Sequence, residues 1–175
     1  MNDFSARPVN WTMMDVLTFA RASHEGQVRK YTGEDYIVHP MAVADMVQRH
    51  GGSKVQQAAA LLHDVVEDCD VSMERIIKLF GGDVANLVLW LTDTSRPSDG
   101  NRRIRKGIDA DRLSKAPAEA QFIKLADLID NSDSIFRFDK SFAKQFHKEM
   151  THLVKVMTKV HGSSMWIEAK KVLKP

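Results

Sequence analysis

Four residues of this sequence could together hold a divalent metal: His39 in His-Pro, the adjacent pair His63-Asp64, and Asp127 in Lys-Leu-Ala-Asp. Imidazole nitrogens and carboxylate oxygens suit a borderline ion such as Mn²⁺, Fe²⁺ or Zn²⁺. Four protein ligands leave positions for water and substrate only if the ion is five- or six-coordinate. Taken singly, each of these residues is more often a satisfied polar group than a ligand. Their surroundings shift the balance. Glu67 and Asp68 follow His63 and Asp64 on a stretch otherwise rich in Ala, Leu and Val. Read as one helix, that stretch makes His63–Glu67 and Asp64–Asp68 i,i+4 neighbours, and like charges at that spacing are unfavourable unless a cation or a solvated cleft offsets them.

Helices must position these groups. Met13, Val16, Leu17 and Ala20 repeat as i, i+3, i+4, i+7, the stripe of a buried helical face, which predicts a helix from about Thr12 to Glu25. A polar loop over Val28 to Val38 precedes Pro40, which suits the first turn of a second helix carrying Met41, Ala44 and Val47 and stopped by Gly51-Gly52. Ser53 is the expected N-cap of a third, with Val55, Ala58, Ala59, Leu62 and Val66 inward. Ser72 and Asp83 are read as caps of two more, the first ending at Gly81-Gly82 and the second facing Val84, Leu87, Val88 and Leu91 inward. Arg96 to Ala116 is basic and less periodic. A long helix follows Pro117, with Phe122, Ile123, Ala126 and Ile129 buried, and two more flank a break at His161-Gly162. No window alternates with period two. The expected fold is all-α: a compact single-domain bundle of about eight helices over residues 1–175, with a motif-bearing core at about 15–138 and C-terminal helices over 139–175.

The strings around the four residues are more specific than the residues themselves. They are Arg29-Lys30-Tyr31-Thr32-Gly33 with Tyr36-Ile37-Val38-His39-Pro40, then Ala60-Leu61-Leu62-His63-Asp64-Val65-Val66-Glu67-Asp68, then Ile123-Lys124-Leu125-Ala126-Asp127 with Asn131. In this order they resemble the HD phosphohydrolase superfamily, and within it the hydrolase domain of RelA/SpoT proteins and the MESH1-like small alarmone hydrolases. The resemblance covers about Asp15 to Phe138. It implies hydrolysis of guanosine 3′,5′-bispyrophosphate with release of the 3′-pyrophosphate, and Mn²⁺ as the usual metal, with Fe²⁺, Zn²⁺ or Mg²⁺ as alternatives. It also implies roles: His39, His63, Asp64 and Asp127 as ligands, Glu67 and Asp68 as the pair that positions or deprotonates water, and Arg29, Lys30 and Asn131 as substrate contacts.

After Asp127 the sequence departs from the family string. Leu128 stands at the usual arginine, Asp130 at the usual histidine, and Ser134 where threonine is common. Ser134 is kept as a substrate contact. Arg103, in the cluster Asn101 to Lys106, is a further candidate for the phosphates, with an exposed basic face as the competing reading. The departures leave two alternatives open: a phosphohydrolase acting on another nucleotide or phosphorylated metabolite, or an inactive nucleotide-binding module.

Composition bounds the remaining possibilities. The 175 residues carry 25 basic and 23 acidic side chains, a net charge of +2, with 43% hydrophobic residues. Such a balance does not predict nucleic-acid or membrane binding through a broad electrostatic field; a small-molecule nucleotide as partner is what the resemblance implies, and the oligomeric state stays open. A single cysteine, Cys69, excludes an intrachain disulfide. Residues 1–10 lack the pattern of a secretory signal, and no apolar run approaches the roughly 20 residues that span a bilayer, so a cytoplasmic location is expected. The residues after Phe138 are too few for a synthetase or regulatory domain. Glu149-x-x-His152 lacks the second copy that a di-iron bundle needs, and His24-Glu25 lacks the second histidine of a zincin. Trp11, Trp90 and Trp166 are expected in the core.

Overall fold

Thr12 opens the first helix because its hydroxyl accepts the Asp15 N–H while the Asp15 carboxylate accepts the Thr12 N–H, a reciprocal cap that satisfies two end groups at once. The same local chemistry recurs down the chain. Ser53 and Gln56 form a second capping box, and Ser72, Asn101 and Ser163 each accept an N–H of the first turn they precede. The computed structural model describes residues 10–174, and among them it is helical with no strand; Val28 and Asp35 form one isolated antiparallel bridge. The N-terminal stretch read for a targeting signal falls, apart from Asn10, outside the described residues.

The chain divides into two compact units, Met1–Thr92 and Asp93–Pro175. The first holds α1 (Met13–Ser23), α2 (Val38–Arg49), α3 (Lys54–Leu61), α4 (Val65–Asp68), α5 (Met73–Phe80) and α6 (Gly82–Leu91). Here α3 is central: α1, α2 and α6 pack on it, and α5 packs on α6. Val16 and Ala20 of α1, Val43 and Val47 of α2, Ala58–Ala60 of α3 and Val88 of α6 are fully buried. The second unit holds a 3₁₀ turn (Pro97–Asp99), α7 (Arg102–Lys115), α8 (Ala118–Phe138), α9 (Lys140–Val156), a 3₁₀ turn (Thr158–Val160) and α10 (Ser164–Val172). There α8 packs on α9 and α10, and α7 on α9, around Ile123, Leu125, Met150 and Met165.

Three details differ from the sequence reading. The predicted third helix is interrupted: α3 ends at Leu61, residues Leu62 to Asp64 form a turn, and α4 restarts at Val65. The cause is His63, whose Nδ1 lies 2.7 Å from the Ala60 carbonyl, the acceptor that the Asp64 N–H would take in a continuous helix. Asp83 is not a cap; α6 begins at Gly82, after Gly81, whose φ of +86° ends α5 and reverses the chain in a conformation suited to glycine. The three tryptophans are half-buried rather than core. Two carry a lysine over the ring, Lys54 at 4.2 Å from the Trp11 centroid and Lys170 at 5.1 Å from that of Trp166.

Asp109 holds the start of the second unit together. It is 4% exposed, and its carboxylate accepts the N–H groups of Thr94 and Ser95 at 3.1 and 3.0 Å and the Ser95 hydroxyl at 2.7 Å. Burial alone would raise its carboxyl; the Ser95 and Thr94 bonds outweigh it and hold the group below the ordinary aspartate range. A depressed folded-state value contributes stability that is present above the unfolded aspartate value, about 3.9, and lost as pH falls through the lower folded one. Asp109→Ala is expected to lower unfolding free energy at pH 7 by about 1–3 kcal/mol, because the donors lose their partner. Urea titrations at pH 7 and at pH 3 would show the deficit shrinking in acid. An equal deficit at both pH values overturns the ionic account.

Candidate functional site

The interruption of α3 shapes the first part of the site. With Nδ1–H donated to the Ala60 carbonyl, His63 presents Nε2 as its basic nitrogen, and that atom lies 3.0 Å from Asp64 Oδ2. His39, in the first turn of α2, brings its own Nε2 to 3.7 Å from the same oxygen. The two imidazoles are almost fully buried and meet edge to face with centroids 5.1 Å apart. His39, His63 and Asp64 thus offer three donor atoms all within 4.8 Å of one another. Ligands held at about 2.1 Å from one ion lie about 3.0–3.4 Å apart in octahedral or tetrahedral geometry, so the set fits a divalent metal after small adjustments. The backbone carbonyl behind His63 is the support that ligating histidines usually have.

Around this triad the acidic pair sits on α4. Glu67 is exposed, and the Asp68 N–H donates to the Asp64 carbonyl at 2.8 Å, which restores helical register just past the turn. Asp68 is exposed as well, but its partial desolvation pushes the carboxyl up, and the nearby Asp64 charge adds to this, while the Tyr36 hydroxyl opposes it. That is the like-charge conflict expected from the spacing.

Arg29 and Lys30 lie on the turn closed by the Val28–Asp35 bridge, where the Arg29 N–H donates to the Glu34 carbonyl at 2.8 Å. The Lys30 ammonium sits 3.3 Å from the Tyr31 hydroxyl. Two residues of this region carried no role in the sequence reading. The Tyr36 hydroxyl donates to Asp64 Oδ2 at 2.7 Å, and the Gln27 amide donates to the Asp68 carbonyl at 3.0 Å. Tyr36 precedes His39 by one helical turn, which was the available signal, but its partner lies 28 residues on.

The second unit contributes a cavity of about 730 Å³ lined by α7, α8 and α9. Asp127, on the long helix α8, is buried at its wall; its Oδ1 accepts the Asn131 amide at 2.6 Å and its Oδ2 lies 2.8 Å from the Lys124 ammonium. Asn131 lines the same cavity with its amide held on Asp127. Ser134 is buried and turns its hydroxyl back on the Asn131 carbonyl at 3.2 Å.

The basic cluster is not uniform. Arg102 makes a two-pronged pair with Glu149, both contacts at 2.8 Å, and lies over the Phe142 ring; Lys106 pairs with Asp93 at 2.7 Å. Their charge is largely spent on the fold. Arg103 and Lys148 line the cavity without an acidic partner among the described residues, so theirs is the positive charge left for an anion. Leu128, at the usual arginine, gives the cavity an apolar patch beside Leu113, Phe146 and Leu153.

The chain is similar to proteins named as guanosine-3′,5′-bis(diphosphate) 3′-pyrophosphohydrolases and to others named as probable GTP diphosphokinases. Residues 17–135 match the family model described as HD domain. A probable guanosine-3′,5′-bis(diphosphate) 3′-pyrophosphohydrolase of Synechocystis sp. is 40% identical over 116 residues, 65% of this chain and 15% of its own length. The guanosine-3′,5′-bis(diphosphate) 3′-pyrophosphohydrolase MESH1 of Drosophila melanogaster is 37% identical over 121 residues, 67% of this chain and 66% of that protein. A solved structure described as a metazoan orthologue of SpoT that hydrolyses ppGpp superposes with a TM-score of 0.78 at 28% identity, covering 95% of this chain and 96% of its own. The chain spans only a small part of several relatives, 21% of the probable GTP diphosphokinase RSH3 of Arabidopsis thaliana and 15% of the Synechocystis protein.

Proposed function

This chain belongs to the HD-domain family, and we propose that it is a metal-dependent phosphohydrolase that removes the 3′-pyrophosphate of guanosine 3′,5′-bis(diphosphate) and its 5′-triphosphate analogue. The observation that carries the reading is the donor triangle of His39, His63 and Asp64, with the His63 tautomer set by the Ala60 carbonyl. The activities for which these relatives are named, and the three sequence strings, support the substrate. The domain on this reading runs over residues 1–175, and the family match crosses from the first unit into the second.

His39, His63 and Asp64 would hold the ion, with Asp127 as fourth ligand on the strength of the sequence pattern. Mn²⁺ is the proposed metal, with Fe²⁺, Zn²⁺ or Mg²⁺ as the alternatives. A bound divalent ion supplies Lewis acidity, lowering the pKa of water and withdrawing charge from a phosphoryl oxygen. Glu67 takes the proton of the attacking water, and Asp68 helps orient it. Water oxygen bonds to the phosphorus attached at the 3′ oxygen as its proton passes to Glu67, that P–O bond breaks to release pyrophosphate, and the ribose oxygen leaves as a hydroxyl by taking a proton from solvent water. Arg29, Lys30 and Arg103 offset phosphate charge, while Asn131 and Ser134 shape the wall near Asp127. The proposed substrate is a small nucleotide. No helix among the described residues is long and apolar enough to cross a membrane. The proposed location is the cytoplasm.

A second reading, an HD phosphohydrolase acting on a different phosphorylated nucleotide, is favoured by one observation: Leu128 and Asp130 replace an arginine and a histidine of the family string. A panel of nucleotides incubated with the protein and Mn²⁺, scored for pyrophosphate against orthophosphate, separates the two. Pyrophosphate from the guanosine 3′,5′-bis(diphosphate) is expected. Orthophosphate from other nucleotides, with that compound untouched, would establish the second. No turnover with any metal, but retained nucleotide binding in His63→Ala, would make the chain a silent binding module.

A further inference from the structure

Tyr36 touches three of the groups that the reaction needs. Its hydroxyl donates to Asp64 Oδ2 at 2.7 Å and lies 3.4 Å from Asp68 Oδ2. Its ring meets the His39 imidazole edge-on with centroids 5.9 Å apart, and its carbonyl accepts the His39 N–H at 3.0 Å. The oxygen it contacts is the one shared by both imidazole nitrogens, at 3.0 Å from His63 Nε2 and 3.7 Å from His39 Nε2.

Tyr36 is itself held from two sides. Its N–H donates to the Gln27 carbonyl at 2.9 Å, and its ring lies against the buried His24 imidazole with centroids 4.8 Å apart. Gln27 is oriented unambiguously: its amide N–H groups reach the Asp68 carbonyl, so its Oε1 accepts from His24 Nδ1 at 2.8 Å. The loop that carries Arg29 and Lys30 is thereby tied to the end of α4, and the tyrosine hydroxyl is delivered to a fixed point over Asp64.

We infer that Tyr36 is a positioning residue of the metal centre, its hydroxyl setting the orientation of the Asp64 carboxylate and linking it to Asp68. The inference rests on the metal-site reading given above. The physical argument is one of lone pairs. A carboxylate oxygen can accept in two directions; Tyr36 occupies one on Oδ2, and the other stays directed to the side where the two imidazoles converge. Without the hydroxyl, the carboxylate can rotate, and the repulsion between Asp64 and Asp68 favours its turning away. Groups that support a ligand in this way typically change metal affinity or activity by about 10–100-fold when removed.

Tyr36→Phe removes the hydroxyl and keeps the ring against His24 and His39. The expected result is a Mn²⁺ dissociation constant, measured by calorimetry, weakened by about 10–100-fold. The visible bands of the Co²⁺-loaded variant should shift from those of the wild type, while the melting temperature of the metal-free protein stays unchanged. Wild-type affinity with an unaltered Co²⁺ spectrum overturns the inference. So does a collapsed metal-free fold in the variant, which would make the hydroxyl structural. Neither measurement needs a substrate, so a failure of the alarmone reading alone leaves the inference standing. A wild-type chain that binds no divalent ion removes the metal site and this role with it.

Discussion

Asp64→Ala is expected to abolish metal binding and to reduce pyrophosphate release by a factor of at least about 10³. Three lines of reasoning set that size. Removing a group that only supports a ligand costs about 10–100-fold, and removing the ligand itself must cost more. Asp64 is also the anionic member of the triad in the first unit, where its partners His39 and His63 are neutral when they ligate. Its loss deprives the ion of charge as well as of a contact. Finally, the oxygen removed is the atom nearest both imidazole nitrogens, at 3.0 and 3.7 Å.

Besides the ligand, the variant removes the acceptor of the Tyr36 hydroxyl, but it leaves the helix end intact. Asp64 occupies the N-cap position of α4, yet its side chain makes no capping bond there, so alanine forfeits no helix cap. His63→Ala would be harder to interpret, since it strips the Ala60 carbonyl of its partner and opens a cavity beside His39. Metal content by elemental analysis after desalting, with turnover measured alongside, gives the result. Asp64→Ala protein that retains stoichiometric metal and more than a tenth of wild-type turnover would remove Asp64 from the ligand set. Asp127→Ala, assayed in the same way, tests the fourth ligand.

The parts of this molecule that depend on near neighbours in the chain were readable, and those that depend on distant ones were not. Thr12, Ser53 and Ser72 are caps whose partners lie three residues away, and Pro117 marks the start of α8 through its own ring. His39, His63 and Asp64 stood out by residue type, because few other pairings of imidazole and carboxylate make chemical sense on an apolar helix. The break between α3 and α4 was hidden because periodicity records side-chain hydrophobicity and not which carbonyl an imidazole will take. Tyr36 and Gln27 carry no local signal of these contacts, because their partners Asp64 and Asp68 lie 28 and 41 residues away. The division of the basic cluster also depends on distance: only the fold shows that Arg102 meets Glu149, 47 residues on, leaving Arg103 the cation of that pair available for an anion.

Glu67→Gln should separate proton transfer from metal binding. Turnover is expected to fall by about 10²–10⁴, the range that a positioned general base contributes, while metal content stays near wild type. The proposed assignment rests on the family resemblance, in which Glu67 and Asp68 are the pair that handles water. Asp68, exposed like Glu67, has its Oδ2 3.4 Å from the Tyr36 hydroxyl, which also donates to Asp64. Glu67 is an exposed residue of the same short helix, with a side chain one methylene longer than that of Asp68. Glutamine keeps its length and shape but cannot accept the proton, so a loss confined to kcat identifies the step. Loss of metal in the variant would instead make Glu67 a ligand. A drop in Asp68→Asn that exceeds the one in Glu67→Gln, at equal metal content, would move the base to Asp68 and leave Glu67 to orient the water.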